Sequence, residues 1–205
     1  MKNKKFVEIF FDNYVNKFDD IYEHVSEETN LSNLITKIFR QSMRERLLLS
    51  LKDLKDQNIK SILDVGCGSG RYSNLLAQNG KEVTGIDFAD KMIQFAKKNA
   101  YENQIQNVKF ISTSYEDFEY DKSYDAVVCM GFFDYIKKAD EIIDKIFKNK
   151  PKVFLGSFPK KYNFLNFIKK FRYYYNNCPL FYYDYKFFKI IEKKYPEYKF
   201  NFIDL

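Results

Sequence analysis

The stretch Ser61-Ile62-Leu63-Asp64-Val65-Gly66-Cys67-Gly68-Ser69-Gly70-Arg71 decides the fold of this 205-residue chain. It opens as an apolar run of strand length, Ile62 to Val65, interrupted by one acid, and then carries glycine at three alternate positions. Glycine is needed where a backbone turns through conformations closed to other residues and must let a ligand reach the main chain. Side chains at 66, 68 or 70 are therefore expected to fill the ligand's space. Arg71 to Asn79 has helical spacing, and Asn79-Gly80 supplies a C-terminal stop, so the loop joins strand to helix. That is the context of a nucleotide crevice, and the loop reads as a phosphate-free, nucleoside-type cofactor loop.

Spacing decides between cofactors. A dinucleotide fingerprint, G-x-G-x-x-G, would need its third glycine at position 71, where this chain has arginine. The pattern is instead Asp64-x-Gly66-x-Gly68-x-Gly70, and with it the chain resembles the class I S-adenosylmethionine (SAM)-dependent methyltransferases. The resemblance implies an α/β fold, a Rossmann-like doubly wound, mostly parallel sheet. It also implies that Asp64, Gly66, Cys67, Gly68 and Gly70 hold the methionine end of SAM. A second strand, Glu82 to Ile86, closes with Asp87, whose carboxylate can accept two hydrogen bonds from vicinal ribose hydroxyls.

The likeness continues through Phe88-Ala89-Asp90-Lys91-Met92-Ile93, where the family places an apolar residue against the adenine before a helix start. Phe88 and Met92 are thus the expected adenine neighbours. After a third strand, Val108 to Ser112, many relatives carry an acid that reads the adenine amino group. This chain has Ser114 in that place, which leaves Ser114 and the backbone of Tyr115 to meet the adenine edge. Strand four is expected over Tyr124 to Met130, with Met130 in the cofactor-binding set, and strand five over Val153 to Ser157. The resemblance covers roughly residues 60 to 158.

In this family the methyl group is already activated, so catalysis is largely in-line displacement: positioning, alignment and exclusion of water. No nucleophilic residue and no metal is expected, and a base only where the acceptor carries a proton. The acceptor crevice belongs beyond strand four, at Met130-Gly131-Phe132-Phe133-Asp134-Tyr135. Asp134 and Tyr135 are the candidate catalytic, acceptor-orienting residues and Phe133 a substrate contact; a helix cap for Asp134 and packing for Tyr135 are the alternatives. Gly-Phe-Phe-Asp-Tyr is not the Asn/Asp-Pro-Pro-aromatic motif of enzymes that methylate exocyclic amines, and the three-cysteine spacing of radical SAM enzymes is absent.

The chain before strand one reads as a helical cap. Phe6, Phe10, Tyr14, Phe18 and Tyr22 form an i, i+4 stripe, and Leu31 to Leu54 carries a second apolar face. Related enzymes use such helices to cover cofactor and substrate, which makes Tyr14, Phe18 and Tyr22 substrate candidates; shielding one side of the sheet is the alternative. His24, the only histidine, is either a base folded over the pocket or a surface group.

After strand five comes a dense aromatic and basic insert, including Tyr162, Phe164, Phe167, Phe171, Tyr173 to Tyr175, Phe181 to Tyr183, Tyr185, Phe187 and Phe188. It can line a flat acceptor site or pack against the N-terminal helices. With Ser157-Phe158-Pro159 it is distantly similar to the porphyrin O-methyltransferases, which suggests a small-molecule acceptor, aromatic or anionic. Tyr198 to Leu205 is expected as a single last strand, without the hairpin that usually closes this sheet. The expected plan is one methyltransferase domain over 1–205, with a cap over 1–57, a SAM-binding core over 58–158 and the insert over 159–205.

The formal charge of +6 is uneven. Residues 145–205 carry fourteen Lys/Arg against four acids, and the rest, twenty against twenty-four, is net negative. Solvated lysines explain this as well as an anionic partner does, and nucleic acid is disfavoured. No run of about 18 apolar residues offers a membrane span and no N-terminal signal pattern is found, so a cytoplasmic protein is expected. Cys67, Cys129 and Cys178 lack metal-type spacing and read as reduced, small apolar residues. The sequence thus favours a SAM-dependent transferase acting on an O or N of a small molecule. A nucleotide-dependent dehydrogenase, a non-catalytic SAM-binding module and an RNA methyltransferase are the rival readings.

Overall fold

The computed structural model describes residues 7, 41, 44–56, 58–159 and 179–204. Its centre is a five-stranded sheet of β1 (Ser61–Val65), β2 (Glu82–Asp87), β3 (Val108–Ser112), β4 (Ala126–Cys129) and β5 (Val153–Gly156) in the order β3-β2-β1-β4-β5. All four pairings are parallel, with Leu63 opposite Thr84 on one side and Val127 on the other. The helices are α1 (Arg71–Gln78), α2 (Asp90–Glu102), α3 (Ala139–Lys148) and α4 (Tyr185–Lys194), and residues 44–53 are helical ahead of the sheet.

Ile62 to Val65 and all of β4 are buried, as near-continuous apolar runs are when both faces of a parallel sheet are covered. The period of two splits them between two cores. Leu63, Val65, Val127 and Cys129 face a large cluster with Phe133, Ile143, Ile146 and Phe147. Ile62, Val83, Ala126 and Val128 face a smaller one with Leu54, Ile59, Leu76 and Ala77. The family-type doubly wound sheet is therefore as expected, with element ends within two residues of the sequence reading.

The C-terminal segment differs from expectation. Residues 198–204 form no strand; Tyr198 stacks on Phe147 of α3 at 4.5 Å between ring centroids, and Phe200 and Phe202 follow it, stacked on one another. The alternation of rings in this tail is real, but it is spent on packing against helices rather than on a ladder beside β5. The described part of the aromatic insert also packs. Tyr183 and Phe188 meet Phe158 edge to face at 5.4 and 5.1 Å, and Phe187 lies on Tyr183. Asp184 caps α4 by accepting from the Phe187 N–H (3.0 Å). Residues 160–178 lie outside the described residues, so most rings of the insert do too.

Candidate functional site

In this strand order the chain runs outward from β1 to β3, returns to β4, and so leaves its switch point between β1 and β4, at the carboxyl ends of the strands. A cleft of about 360 Å³ opens there. Its floor is Val65 and Gly66 at the end of β1, with Ile86, Asp87 and Phe88 beside them and Thr113 to Glu116 following β3. Its opposite wall is Phe132, Tyr135 to Lys138, and Glu141 and Ile142 of α3, joined by Val7 and Phe181.

Asp87 organises the floor. Its Oδ2 accepts from the Gly68 N–H and its Oδ1 from the Ala89 N–H, both at 2.9 Å, so the carboxylate ties the glycine loop to the turn after β2. Gly66 and Cys67 add N–H donors to the Ile86 carbonyl, which draws the first turn of the loop over β2.

The three glycines serve different ends, contrary to the expectation that each leaves room for a ligand. A Cβ on Gly70 would lie 2.7 Å from Phe110 Cζ and 2.8 Å from Ala96 Cβ, so Gly70 is a notch for the packing of α1 on β3 and α2. A Cβ on Gly66 would meet the Phe132 ring at 2.8 Å. Only at Gly68, with φ +53°, is there open space within 4 Å.

Other expected residues lie beneath or behind the cleft. Asp64 is 2% exposed and accepts from Ser73 Oγ of α1 at 2.6 Å, so it braces the loop from below. Burial, only partly offset by that bond, pushes its carboxyl up to about 6, with the charge of Asp87 adding to the rise. Cys67 packs towards Ile93, Ala96 and Phe110, and burial raises its thiol well above the usual range. Met92, expected against an adenine, is 1% exposed on the inner face of α2. Met130 packs beside the smaller core cluster and is not among the cleft-lining residues.

Phe133 is a correction of one residue. It is fully buried and stacked on Phe158 at 4.2 Å, while Phe132, which the sequence reading passed over, faces the cleft. Gly131, at φ +75°, turns the chain just ahead of the two rings, and its N–H donates to Ser157 Oγ at 2.7 Å. The next pair divides similarly: Tyr135 lines the cleft, whereas Asp134 is 6% exposed and lies towards Tyr182 and Tyr183, whose phenols are raised by burial first and by its charge second.

Ser114 and Tyr115 do reach the cleft. The Ser114 hydroxyl donates to Asp117, and the Tyr115 ring is 2% exposed with its hydroxyl paired to that of Tyr120 at 2.7 Å. The sequence reading also missed Lys145, whose Nζ donates to the carbonyls of Tyr115 (2.7 Å), Glu116 (3.0 Å) and Phe118 (2.7 Å) and so fixes this loop from α3. Nothing local signals it, since the partners are almost thirty residues away. Tyr14, Phe18, Tyr22 and His24 lie outside the described residues.

The fold and cleft are those of a doubly wound α/β protein with its ligand crevice at the carboxyl ends of the strands. The profile of a family described as "Methyltransferase domain" matches residues 56–181, and the chain belongs to that family. Among curated proteins it is similar to the ubiquinone biosynthesis O-methyltransferase of Saccharophagus degradans, at 39% identity over 38% of this chain and 33% of that one. A Rickettsia bellii protein of the same name is 31% identical over 68% of this chain and 58% of its own length. The chain thus spans between a third and under three fifths of these relatives. Among solved structures it shares its fold with a magnesium protoporphyrin IX methyltransferase from Synechocystis PCC 6803 with bound SAM, at a TM-score of 0.71 and 19% identity, over 95% of this chain and 86% of that one. No helix among the described residues is long and apolar enough to cross a membrane.

Proposed function

We propose that this protein is a SAM-dependent methyltransferase that passes the methyl group to an oxygen, or less favourably a nitrogen, of a small-molecule acceptor. The observation that carries the reading is Asp87, a cleft-lining carboxylate at the tip of β2 that two backbone N–H groups hold in place, beside the open space at Gly68. Electrostatics agrees. Asp64 and Asp87 are close enough to raise the former's affinity for a proton, and that paired negative charge suits a cofactor with cationic ammonium and sulfonium groups. A dinucleotide's pyrophosphate would be repelled there, which disfavours a dehydrogenase.

The cleft's residues fit SAM in kind: a carboxylate for the ribose in Asp87, Gly66 at the start of a glycine turn whose Gly68 has open space beside it, and Phe88 with the Ser114 to Glu116 loop for a base. Bound, SAM supplies a methyl group already activated by its sulfonium. What the chain itself does is hold and exclude. Asp87 orients the ribose, Phe132 and Ile142 keep water from the reacting centre, and Tyr135 stands on the acceptor side with a hydroxyl to orient the incoming atom. The relatives named as ubiquinone biosynthesis O-methyltransferases support a small-molecule acceptor.

Calorimetric titration with SAM and with S-adenosylhomocysteine tests the reading. Both are expected to bind at micromolar levels or tighter, and Asp87→Ala to weaken both by about 1.5 to 3 kcal/mol, the scale of hydrogen bonds to a charged group, with the protein still folded. Absence of binding by the wild type, or unchanged affinity in the variant, overturns it.

A further inference from the structure

The wall of the cleft after β4 is largely apolar, with Tyr135, Lys137, Lys138 and Glu141 as its polar residues. Phe132, Ile136, Ile142 and Phe181 form its surface, and two lysines stand at its rim. Lys138 is neutralised by Glu141 at 2.5 Å, but Lys137 has no hydrogen-bond or ion-pair partner among the described residues. Its backbone is not loose. The Tyr183 hydroxyl donates to the carbonyls of Phe133 (3.2 Å) and Ile136, and the Phe181 N–H donates to that of Asp134 (2.9 Å). The turn that carries Lys137 is therefore clamped from the segment that also delivers Phe181 to the cleft.

The cleft is thus polarised. Asp87 and Glu116 are acids among the floor residues, the side suited to a cationic cofactor, and Lys137 belongs to the wall after β4, among apolar and aromatic residues. An ammonium at the rim of an apolar wall is best met by an anionic group on a ligand whose body covers that wall. We propose that Lys137 is a specificity-determining residue that receives a carboxylate carried by a flat, apolar acceptor. This rests on the methyltransferase reading and names the acceptor class within it.

The test uses two probes of one shape, 2-naphthoate and its neutral amide 2-naphthamide, titrated calorimetrically with and without saturating S-adenosylhomocysteine. The wild type is expected to bind the carboxylate more tightly by on the order of threefold to tenfold, a preference that shrinks as salt is raised. Lys137→Gln should erase the preference while leaving amide binding unchanged. Equal affinities in the wild type, a preference retained in the variant, or no binding of either probe overturns the proposal. Failure of the methyltransferase reading shows separately, as no heat with S-adenosylhomocysteine, and the Lys137 preference is still read in the titrations without it.

Discussion

Asp125 and Asp64 stand at opposite ends of the paired strands β4 and β1, and their surroundings drive them in opposite directions. At the amino edge Asp125 accepts from the N–H groups of Lys60 (2.9 Å) and Ser61 (3.0 Å) and from Ser61 Oγ (3.2 Å), and pairs with Lys152 at 2.7 Å. Lys152 and those donors hold its carboxyl well below the usual range. At the carboxyl edge Asp64 has Ser73 as its hydrogen-bond donor, and burial drives it the other way. The amino edge is further stitched by Lys81 Nζ on the carbonyls of Asp56 and Ile59 and by Asn107 Nδ2 on those of Ala77 and Lys81. One edge saturates its charges and stabilises the sheet. The other keeps negative charge under-satisfied beneath a cleft, where it can attract a cationic ligand.

The sharpest break within the carboxyl edge is between Gly70 and Gly68. Gly70→Val should cost roughly 3 to 5 kcal/mol, adding an overpacked side chain against Phe110 and Ala96 to a left-handed backbone at φ +78°. Gly68→Ala meets no atom within 4 Å and should cost only about 1 to 2 kcal/mol, from backbone strain, while weakening SAM binding. Urea denaturation with cofactor titration separates the two. If Gly68→Ala destabilised as much as Gly70→Val, the division into a packing glycine and a ligand glycine would be wrong.

That division marks how far the sequence could be read. The strand, the alternate glycines, the helix and the acid after β2 are local patterns, so the sheet and the place of the cleft were legible from Ile62 to Asp87. Which glycine faces a ligand depends on Phe110 and Phe132, some forty and sixty residues away, and no local pattern reports them. The one-residue slip at Phe132 and Phe133 has a similar cause: Gly131 leaves the strand with positive φ, after which alternation no longer says which ring faces inward. Met92 is a different case, because the adenine role came from a family habit, whereas its side chain lies on the buried face of α2. Asp125 and Lys145 act only through partners distant in sequence.

The next effect concerns the amino edge. Asp125→Ala should lose about 2 to 3 kcal/mol near neutral pH, because it strips a charged acceptor from the Ser61 N–H and hydroxyl and from Lys152. The sign with pH follows from the lowered carboxyl. Its contribution is present above the unfolded value near 3.8 and fades as pH falls below it, so wild type and variant should converge in acid. A gap in urea midpoint that stayed constant down to pH 2 would remove Asp125 as the charged clamp of this edge.

Asp64 should show the opposite slope. Because its folded carboxyl is raised from 3.8 to about 6, the protonated group favours the folded state. That contribution is complete below about pH 4 and is lost as pH rises through 6. Asp64→Asn keeps an acceptor for Ser73 Oγ and has no proton to lose, so it should gain on the wild type by on the order of 2 kcal/mol between pH 4 and pH 7. A stabilised but weakly SAM-binding variant at pH 7 would mean that the carboxyl edge gives up stability to keep a charge under its cleft. If the two proteins ran parallel across that range, burial would not be raising the Asp64 carboxyl, and the contrast between the two edges would rest on Asp125 alone.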